Sequence, residues 1–205
     1  VVSPKGKIYV SQLVNNRIQV FAPPTATANR KAIIVAGSGP YATNTLWDAT
    51  QMCANYAYRA LSYQGYTRDT IYYLSADTDL DLNNDGYPDV DADATNAGLE
   101  YAIKTWAQDA DSLFIYLVGH GGEGTFVTSE YELLDAADLD AWLDTAQQTI
   151  TDFVALVYDG CHSGSFVPYL APPPGKTRLV AASTATSEPA VFEADGGLSF
   201  GYQFF

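Results

Sequence analysis

The sequence predicts an α/β fold in which a mostly parallel central sheet is flanked by helices. Three observations predict it. From Lys31 onward, apolar runs of strand length alternate with segments of helical periodicity. Most of these runs lack the polar alternation of half-exposed strands, which is typical of strands covered on both faces. The chain has 205 residues, 47% hydrophobic and 17% charged, which is enough for one substantial core.

The first 29 residues differ from the rest of the chain. They predict two short strands, Lys7–Gln12 and Arg17–Phe21, joined by an Asn-rich turn and followed by a proline-containing linker. The pattern resembles an NHL repeat, one unit of a β-propeller blade. Because one hairpin cannot bury its own face, we expect an excerpt of a longer protein with a propeller upstream. The alternative is an N-terminal hairpin that packs on the main domain, residues 30–205.

The main domain is expected to contain five strands, at residues 31–37, 70–76, 112–119, 152–159 and 177–184. Helices are expected at residues 45–64, closed by Gly65, and after Thr95 and Asp135, whose side chains can cap a helix. A polar excursion, residues 124–134, separates the third strand from the last helix. Ligands of such folds bind beyond the carboxyl ends of the strands, so those junctions are the places to search.

The charge balance argues against nucleic acid as a partner, and the short apolar runs argue against a membrane span. The net charge is −14, from 24 acidic and 10 basic residues, whereas binding to nucleic acid requires clustered Lys and Arg. The longest apolar runs are shorter than ten residues, so no membrane span is expected. The acidic residues concentrate between Arg68 and Lys104, a segment with no basic residue inside it.

Two strand-to-loop junctions carry reactive side chains. His120 follows the third strand and Cys161 follows the fourth, and glycines flank both. If the two strands are parallel neighbours, both residues lie on one rim although 41 positions separate them. A cysteine nucleophile needs this arrangement, because a nearby base must take or share the thiol proton.

The neighbouring residues fit the same chemistry. Gly121 and Gly160 let the backbone approach a substrate carbonyl, and the amides of Gly121 and Cys161 can donate to an oxyanion. His162 is the other candidate base, but consecutive side chains tend to point apart. Cys53 lies on the apolar stripe of the first helix and is interpreted as a core residue. We therefore expect two independent thiols.

These residues resemble the legumain (asparaginyl endopeptidase) family, in the clan shared with caspases and metacaspases. The shared pattern is an apolar strand ending in His-Gly, "IYLVGHG", and a second ending in an acid, one residue and Cys, "VALVYDGCHSGS". The opening strand, "AIIVAGSGPY", agrees. The resemblance implies a caspase-like three-layer sandwich and a cysteine endopeptidase. It makes Cys161 the nucleophile, His120 the base, Gly121 an oxyanion donor and Asn44 the residue that orients the histidine.

The resemblance also implies a first specificity pocket. Asp159 stands where legumain often has Glu at the pocket wall, and Ser183 and Thr184 follow the fifth strand, where the family lines this pocket. The arginine that helps legumain to bind asparagine has no counterpart near residues 45–47, so a preference for asparagine is not expected to carry over. The family fold continues beyond "LSFGYQFF" with a helix and a last strand. Either the domain is truncated there or its sheet is shorter.

An acidic loop, residues 81–89, has the spacing of a calcium site. Ca²⁺ binds six to eight oxygen ligands, and alternate acidic positions wrap a loop around one ion. The twelfth position is Ala92 where an EF-hand has Glu, so the loop is closer to those of extracellular calcium modules. A structural Ca²⁺ suggests a secreted or cell-surface protein. The candidate ligands are Asp81, Asn83, Asp85, the carbonyl of Tyr87, and Asp89.

Three functions compete. The first is a cysteine endopeptidase that hydrolyses peptide bonds through an acyl-thioester. The second is a transamidase or peptide ligase that uses the same Cys-His dyad and passes the acyl group to an amine. The third is a catalytically silent caspase-like binding module, against which the presence of both His120 and Cys161 argues.

Overall fold

The computed structural model describes residues 8–12, 17–21, 29–191 and 199–205. Ten strands and four α-helices lie in this part of the chain. The strands are β1 (Ile8–Gln12), β2 (Arg17–Phe21), β3 (Arg30–Ala36), β4 (Ile71–Leu74), β5 (Ser112–Val118), β6 (Gly121–Gly122), β7 (Thr125–Ser129), β8 (Glu132–Asp135), β9 (Phe153–Asp159) and β10 (Thr177–Ala182). The helices are α1 (Trp47–Tyr63), α2 (Asn96–Tyr101), α3 (Ala136–Ala146) and α4 (Phe200–Phe204), and a π-turn at 102–106 extends α2.

The central sheet confirms the predicted fold class. Its five strands run parallel in the order β10-β9-β5-β3-β4. Alternate residues of β3 face opposite sides, with Ile33 and Val35 in one core and Ala32 and Ile34 in the other. The first core contains residues of α2 and α3, and the second contains residues of α1 and packs against Phe200 of α4. The domain is thus a three-layer sandwich.

The helix boundaries agree with most of the sequence signals. Gly65 lies just past α1 with φ +92°, a left-handed conformation that glycine adopts without steric cost. The Thr95 hydroxyl accepts from the backbone N–H of Gly98 at 3.1 Å, as expected of an N-cap. The prediction that the Asp135 side chain caps the next helix was wrong. Asp135 precedes α3, but its side chain makes no capping hydrogen bond, because the residue ends β8 opposite Thr125.

The polar excursion forms β7 and most of β8, which join β6 in a second, antiparallel sheet in the order β6-β7-β8. Its middle strand alternates between buried and half-buried residues, and Phe126 is fully buried. The ring of Phe126 packs edge-on against Tyr158 of β9 at 5.3 Å between centroids. This small sheet begins at Gly121, one residue after His120, so its position is tied to that junction.

The N-terminal hairpin forms as predicted, with β1 and β2 antiparallel and Ile8 opposite Phe21. The turn between them lies outside the described residues. Its assignment to an NHL repeat and the domain boundary at residue 29 stay predictions. Among the described residues, no helix is both long enough and apolar enough to cross a membrane.

Candidate active site

The register of the central sheet brings His120 and Cys161 to neighbouring positions. Val118 of β5 lies opposite Asp159 of β9, and the Gly119 N–H donates to the Asp159 carbonyl at 3.2 Å. Each candidate residue stands two positions beyond this pair. Because neighbouring strands lie ~4.8 Å apart, equal offsets place the two residues side by side on one rim of the sheet.

Asn44 determines the orientation of His120. The loop between β3 and α1 carries Asn44, which is 9% exposed, to within hydrogen-bond distance of the imidazole. Its Oδ1 lies 2.9 Å from His120 Nε2, its Nδ2 donates to the Gly39 carbonyl at 2.8 Å, and the Leu46 N–H donates to Oδ1 at 3.1 Å. Because two backbone partners fix which end of the amide is the oxygen, Oδ1 is the acceptor and His120 Nε2 carries the proton.

This tautomer leaves His120 Nδ1 unprotonated and able to accept a proton. Burial lowers the pKa of His120, because a partly desolvated imidazole disfavours its charged form. The ring is therefore a neutral acceptor at neutral pH. The resemblance had placed Asn44 in this role on loop position alone, and the structure brings the two side chains together.

Two glycines allow the strand ends to approach each other. A Cβ on Gly160 would lie 2.5 Å from the Gly119 carbonyl oxygen. A Cβ on Gly121 would overlap the Tyr158 hydroxyl and would lie 2.6 Å from the Cys161 carbonyl oxygen. Real Cβ atoms do not tolerate such contacts with backbone. Glycine at these positions is what permits the backbone beside His120 to contact the backbone of Cys161.

The predicted pocket residues lie beneath the nucleophile turn, residues 160–163. Ser183 Oγ accepts from the Gly160 N–H at 3.1 Å, and Thr184 Oγ1 donates to the Gly160 carbonyl at 3.1 Å. Asp159 is 1% exposed, and its Oδ2 accepts from Tyr116 Oη at 3.0 Å and from the Gly201 N–H at 2.7 Å. All three thus have partners inside the fold, and their contact with substrate stays a prediction.

The ring and the backbone N–H of His162 make hydrogen bonds to backbone carbonyls of the loop after β10. It has φ +57°, its Nδ1 lies 2.9 Å from the Thr186 carbonyl, and its N–H donates to the Glu188 carbonyl at 2.9 Å. A ring nitrogen beside a carbonyl must be a donor, so Nδ1 of His162 is protonated. These contacts attach the nucleophile turn to the loop after β10, residues 183–191, and favour a structural role.

Sequence reasoning missed one direct contact of Cys161, the candidate nucleophile. The backbone N–H of Ala190 donates to Cys161 Sγ at 3.2 Å. A backbone donor carries no residue-type signature, so no motif could have pointed to it. This contact ties the sulfur to the loop after β10.

The two cysteines are independent, as predicted. Neither forms a disulfide within the described residues, and they differ in exposure. Cys53 is 4% exposed within the core beside α1, and its Sγ lies 3.0 Å from Ser199 Oγ. Burial raises the pKa of Cys53, which makes it a poor nucleophile.

The acidic loop contains the predicted oxygen donors, most of them turned onto the loop itself. Asp81 accepts from the Gly86 N–H at 2.8 Å, which lowers the pKa of Asp81, and Asp85 Oδ1 accepts from the Tyr87 N–H at 2.9 Å. Asn83 Nδ2 lies 3.1 Å from Asp85 Oδ2 and 3.5 Å from Asp89 Oδ1. Within the described ranges, no three Asp, Glu, His or Cys side chains converge as a metal centre would require. The donor set suits a hard cation in kind, and calcium stays a prediction.

Comparison with known proteins agrees with this geometry. The model of the Peptidase C13 family matches residues 91–192, just under half of the chain, and the match includes both His120 and Cys161. Among solved structures, caspase-1 from Spodoptera frugiperda is similar, with a TM-score of 0.52 and 14% sequence identity. The match covers 82% of this chain and 64% of that one, so this chain spans less than two thirds of the insect protein. No curated protein sequence matches. The likeness to the caspase shows that the fold is caspase-like, and the family match supports a peptidase of the cysteine type.

Proposed function

We propose that this protein is a legumain-like cysteine endopeptidase in which Cys161 is the nucleophile and His120 the general base. The observation that carries the proposal is the equal offset of the two residues past the paired Val118 and Asp159. The equal offset supports a thiol and an imidazole close together on the rim where ligands of parallel sheets bind. The match to the Peptidase C13 family supports the same reading.

The geometry supports the following course of reaction. Cys161 Sγ attacks the carbonyl carbon of the scissile peptide bond while its proton passes to His120 Nδ1. The N–H groups of Gly121 and Cys161 donate to the oxyanion that forms. The intermediate collapses to a thioester when His120 gives its proton to the leaving amine. A water molecule, activated by the same nitrogen, then attacks the thioester, and the acid and the free thiol are released.

Asn44 acts through His120. Its side-chain oxygen accepts a hydrogen bond from the Nε2–H of His120, which keeps the proton on Nε2 and leaves Nδ1 able to accept the proton of the thiol. The geometry does not require Asn44 to touch the substrate, so we assign it as a positioning residue.

The proposal is tested by labelling with a peptide that carries an electrophilic ketone, read by mass spectrometry. We expect rapid modification of Cys161 and none of buried Cys53. His120→Ala should slow the labelling about 100-fold, the lower range for loss of a general base. His162→Ala is the matched control, and it should change the rate only a few-fold.

The rate at which each variant cleaves a mixed peptide library should rank as its labelling rate does: wild type and His162→Ala fast, His120→Ala slow. Cys161→Ala should be inactive. Equal slow labelling of Cys53 and Cys161, indifferent to His120, would overturn the assignment. The silent binding module would then be favoured.

We further propose that the acidic loop binds a structural Ca²⁺ and that the protein works outside cells. Asp81, Asp85 and Asp89 would supply carboxylate ligands, with Asn83 and the Tyr87 carbonyl beside them. The support is the donor set and the position of the Asn83 amide between Asp85 and Asp89. Millimolar calcium is found in extracellular fluids, where a loop of modest affinity would be filled.

A further inference from the structure

Tyr158, the second-last residue of β9, lies beneath the junction that carries the candidate oxyanion donor. Its side chain is fully buried, and its hydroxyl donates to the Thr125 carbonyl at 3.1 Å. A Cβ added to Gly121 would overlap the hydroxyl oxygen, so that oxygen lies directly against the Gly121 backbone. One hydroxyl group thus contacts both β6 and β7, the two strands of the small sheet that follow His120.

Two aromatic rings hold the phenol in this position. Phe126 packs edge-on against it at 5.3 Å between centroids, and Phe166 does so at 4.8 Å. A Cβ added to Gly160 would lie 2.8 Å from the Tyr158 ring, so the ring also lies against the nucleophile turn. Burial raises the pKa of Tyr158, and the hydroxyl therefore keeps its proton and remains a donor at neutral pH.

The pairing of β6 with β7 leaves the Gly121 N–H outside the ladder. Gly121 lies opposite Phe126. One position back, the Val127 N–H donates to the His120 carbonyl at 3.0 Å. Hydrogen-bonded and non-hydrogen-bonded pairs alternate along antiparallel strands, so Gly121 stands at a non-bonded pair and its N–H is directed away from β7. Because β6 is the edge strand of the small sheet, that N–H faces the open edge.

The direction of this N–H depends on where β6 is held. The strand has only two residues, Gly121 and Gly122, and glycine restricts its own backbone less than any other residue. A donor to an oxyanion contributes most when its direction is already correct before the reaction, since no reorganisation is then required. The Tyr158 hydroxyl, which is rigidly packed and in contact with Gly121, restricts the freedom that the glycines leave.

We propose that Tyr158 is a positioning residue of the peptidase: its hydroxyl holds β6 on β7 and so keeps the Gly121 N–H directed at the oxyanion. The inference rests on the proposed peptidase function. Tyr158 acts through Gly121, and not through the thiol of Cys161 or the imidazole of His120. Loss of the hydroxyl should therefore weaken the stabilisation of the oxyanion and leave the reactivity of the thiol intact.

The experiment compares reactions of Cys161 that form an oxyanion with one that does not. Hydrolysis of a peptide forms an oxyanion at each attack on a carbonyl, whereas the thiol displaces iodide from the saturated carbon of iodoacetamide. Tyr158→Phe keeps the ring and removes only the hydroxyl. We expect this variant to lower kcat about tenfold, below the roughly 100- to 1000-fold cost of losing an oxyanion donor, with KM within about twofold. The rate of alkylation by iodoacetamide should equal that of the wild type.

The affinity for a peptide aldehyde is the second readout. Its carbonyl oxygen takes the position of the oxyanion when Cys161 adds to it, so Tyr158→Phe should weaken the complex about tenfold as well. Tyr73→Phe is the matched control. Tyr73 is also fully buried and donates its hydroxyl to Asn55 Oδ1 at 2.7 Å, but it lies in the core on the opposite face of the sheet. This variant should keep the wild-type value of each measurement.

Two outcomes would overturn the positioning role alone. One is an equal slowing of peptide hydrolysis and of alkylation in Tyr158→Phe, which would mean that the hydroxyl supports the whole site. The other is a wild-type kcat in that variant. If the wild-type protein cleaves no member of a mixed peptide library while iodoacetamide still modifies Cys161, the peptidase function itself fails, and the positioning role fails with it.

Discussion

At the scale of single residues, the protonation of His120 depends on the amide of Asn44. Burial lowers the pKa of His120 below its ordinary value near 6.5, so the neutral base persists into mildly acidic solution. We expect the acid limb of the labelling rate of Cys161 to lie below pH 6.5. Asn44→Asp should move the limb to higher pH, because a carboxylate beside the ring stabilises its charged form.

The measurement is the pH profile of Cys161 labelling in the two proteins. Asn44→Ala should lower the rate about tenfold or more, since the ring loses its orientation. A limb that stays in place in Asn44→Asp would contradict the contact between the two residues.

Gly121 permits the contact between the two junctions, and a single methyl group should disrupt it. We expect Gly121→Ala to lower the labelling rate of Cys161 at least about tenfold and to destabilise the fold by ~1–3 kcal/mol, the range for overpacking. The added Cβ would overlap the Tyr158 hydroxyl and the Cys161 carbonyl. Labelling kinetics and denaturant unfolding measure the two effects.

Gly122→Ala is the matched neighbour for that change. A Cβ there would meet only the Thr125 Oγ1 atom, at 2.9 Å, and a rotation of that side chain relieves the contact. If both substitutions act alike, the close approach at Gly121 is not what places the nucleophile.

At the scale of elements, Asp159 joins two strands and a helix. The residue is the last of β9. Its carboxylate accepts hydrogen bonds from the Tyr116 hydroxyl on β5 and from the N–H of Gly201 in α4. Burial is the largest cause of the raised pKa of Asp159. The native state therefore keeps this proton to a higher pH than the unfolded chain does. The contribution of Asp159 to stability is greatest below the unfolded pKa of ~3.9 and is lost as the pH rises through the folded pKa.

Asp159→Asn should remove this dependence. The free energy of unfolding of the wild type minus that of Asp159→Asn should fall as the pH rises from about 4 toward neutrality. Denaturant unfolding at several pH values measures it. Asp138→Asn, on the exposed face of α3, should show no such trend, and a difference that is constant with pH in Asp159→Asn would contradict the argument.

The elements differ in how well the sequence predicts them. The strands of the central sheet follow from apolar runs, since burial on both faces removes polar alternation. The small sheet could not be predicted in the same way. Gly121–Gly122 has little intrinsic preference for a strand, and it pairs because Phe126 packs on Tyr158 from another part of the chain. Asp135 is both the last residue of β8 and the N-cap residue of α3, and its side chain makes no capping hydrogen bond.

At the scale of the whole molecule, the net charge of −14 makes a bound cation favourable. We expect millimolar Ca²⁺ to raise the thermal midpoint by roughly 5–10 °C over chelator, the shift for ~100-fold saturation of a site in a chain of this length. Asp85→Asn should abolish the shift. Calorimetry at matched ionic strength, with Mg²⁺ and KCl as controls, measures it.

Asp138→Asn is the matched control for the charge itself. It removes one carboxylate from α3 and should keep the calcium shift. An equal shift with KCl, or one retained in Asp85→Asn, would mean that calcium only screens the charge.

Only part of the candidate site could be predicted from the sequence. His120 and Cys161 stand at the ends of apolar strands, and motif resemblance paired them. The Ala190 N–H and the contacts of Ser183 with Gly160 could not be predicted, because they involve backbone atoms that any residue carries. Tyr158 lies in the quoted "VALVYDGCHSGS" stretch, but nothing in its spacing indicates a hydroxyl beneath the backbone of β6.

The register of β5 and β9 has a consequence for how this sequence can change in evolution. His120 and Cys161 each follow one backbone pair, Val118 and Asp159, by two residues, and this count does not depend on which apolar side chains fill those strands. Drift can exchange almost every core residue while the two reactive groups stay in place. An insertion or deletion of one residue at either junction would separate them at once. Over evolutionary time, the length of these two short connections should therefore be guarded more strictly than their composition.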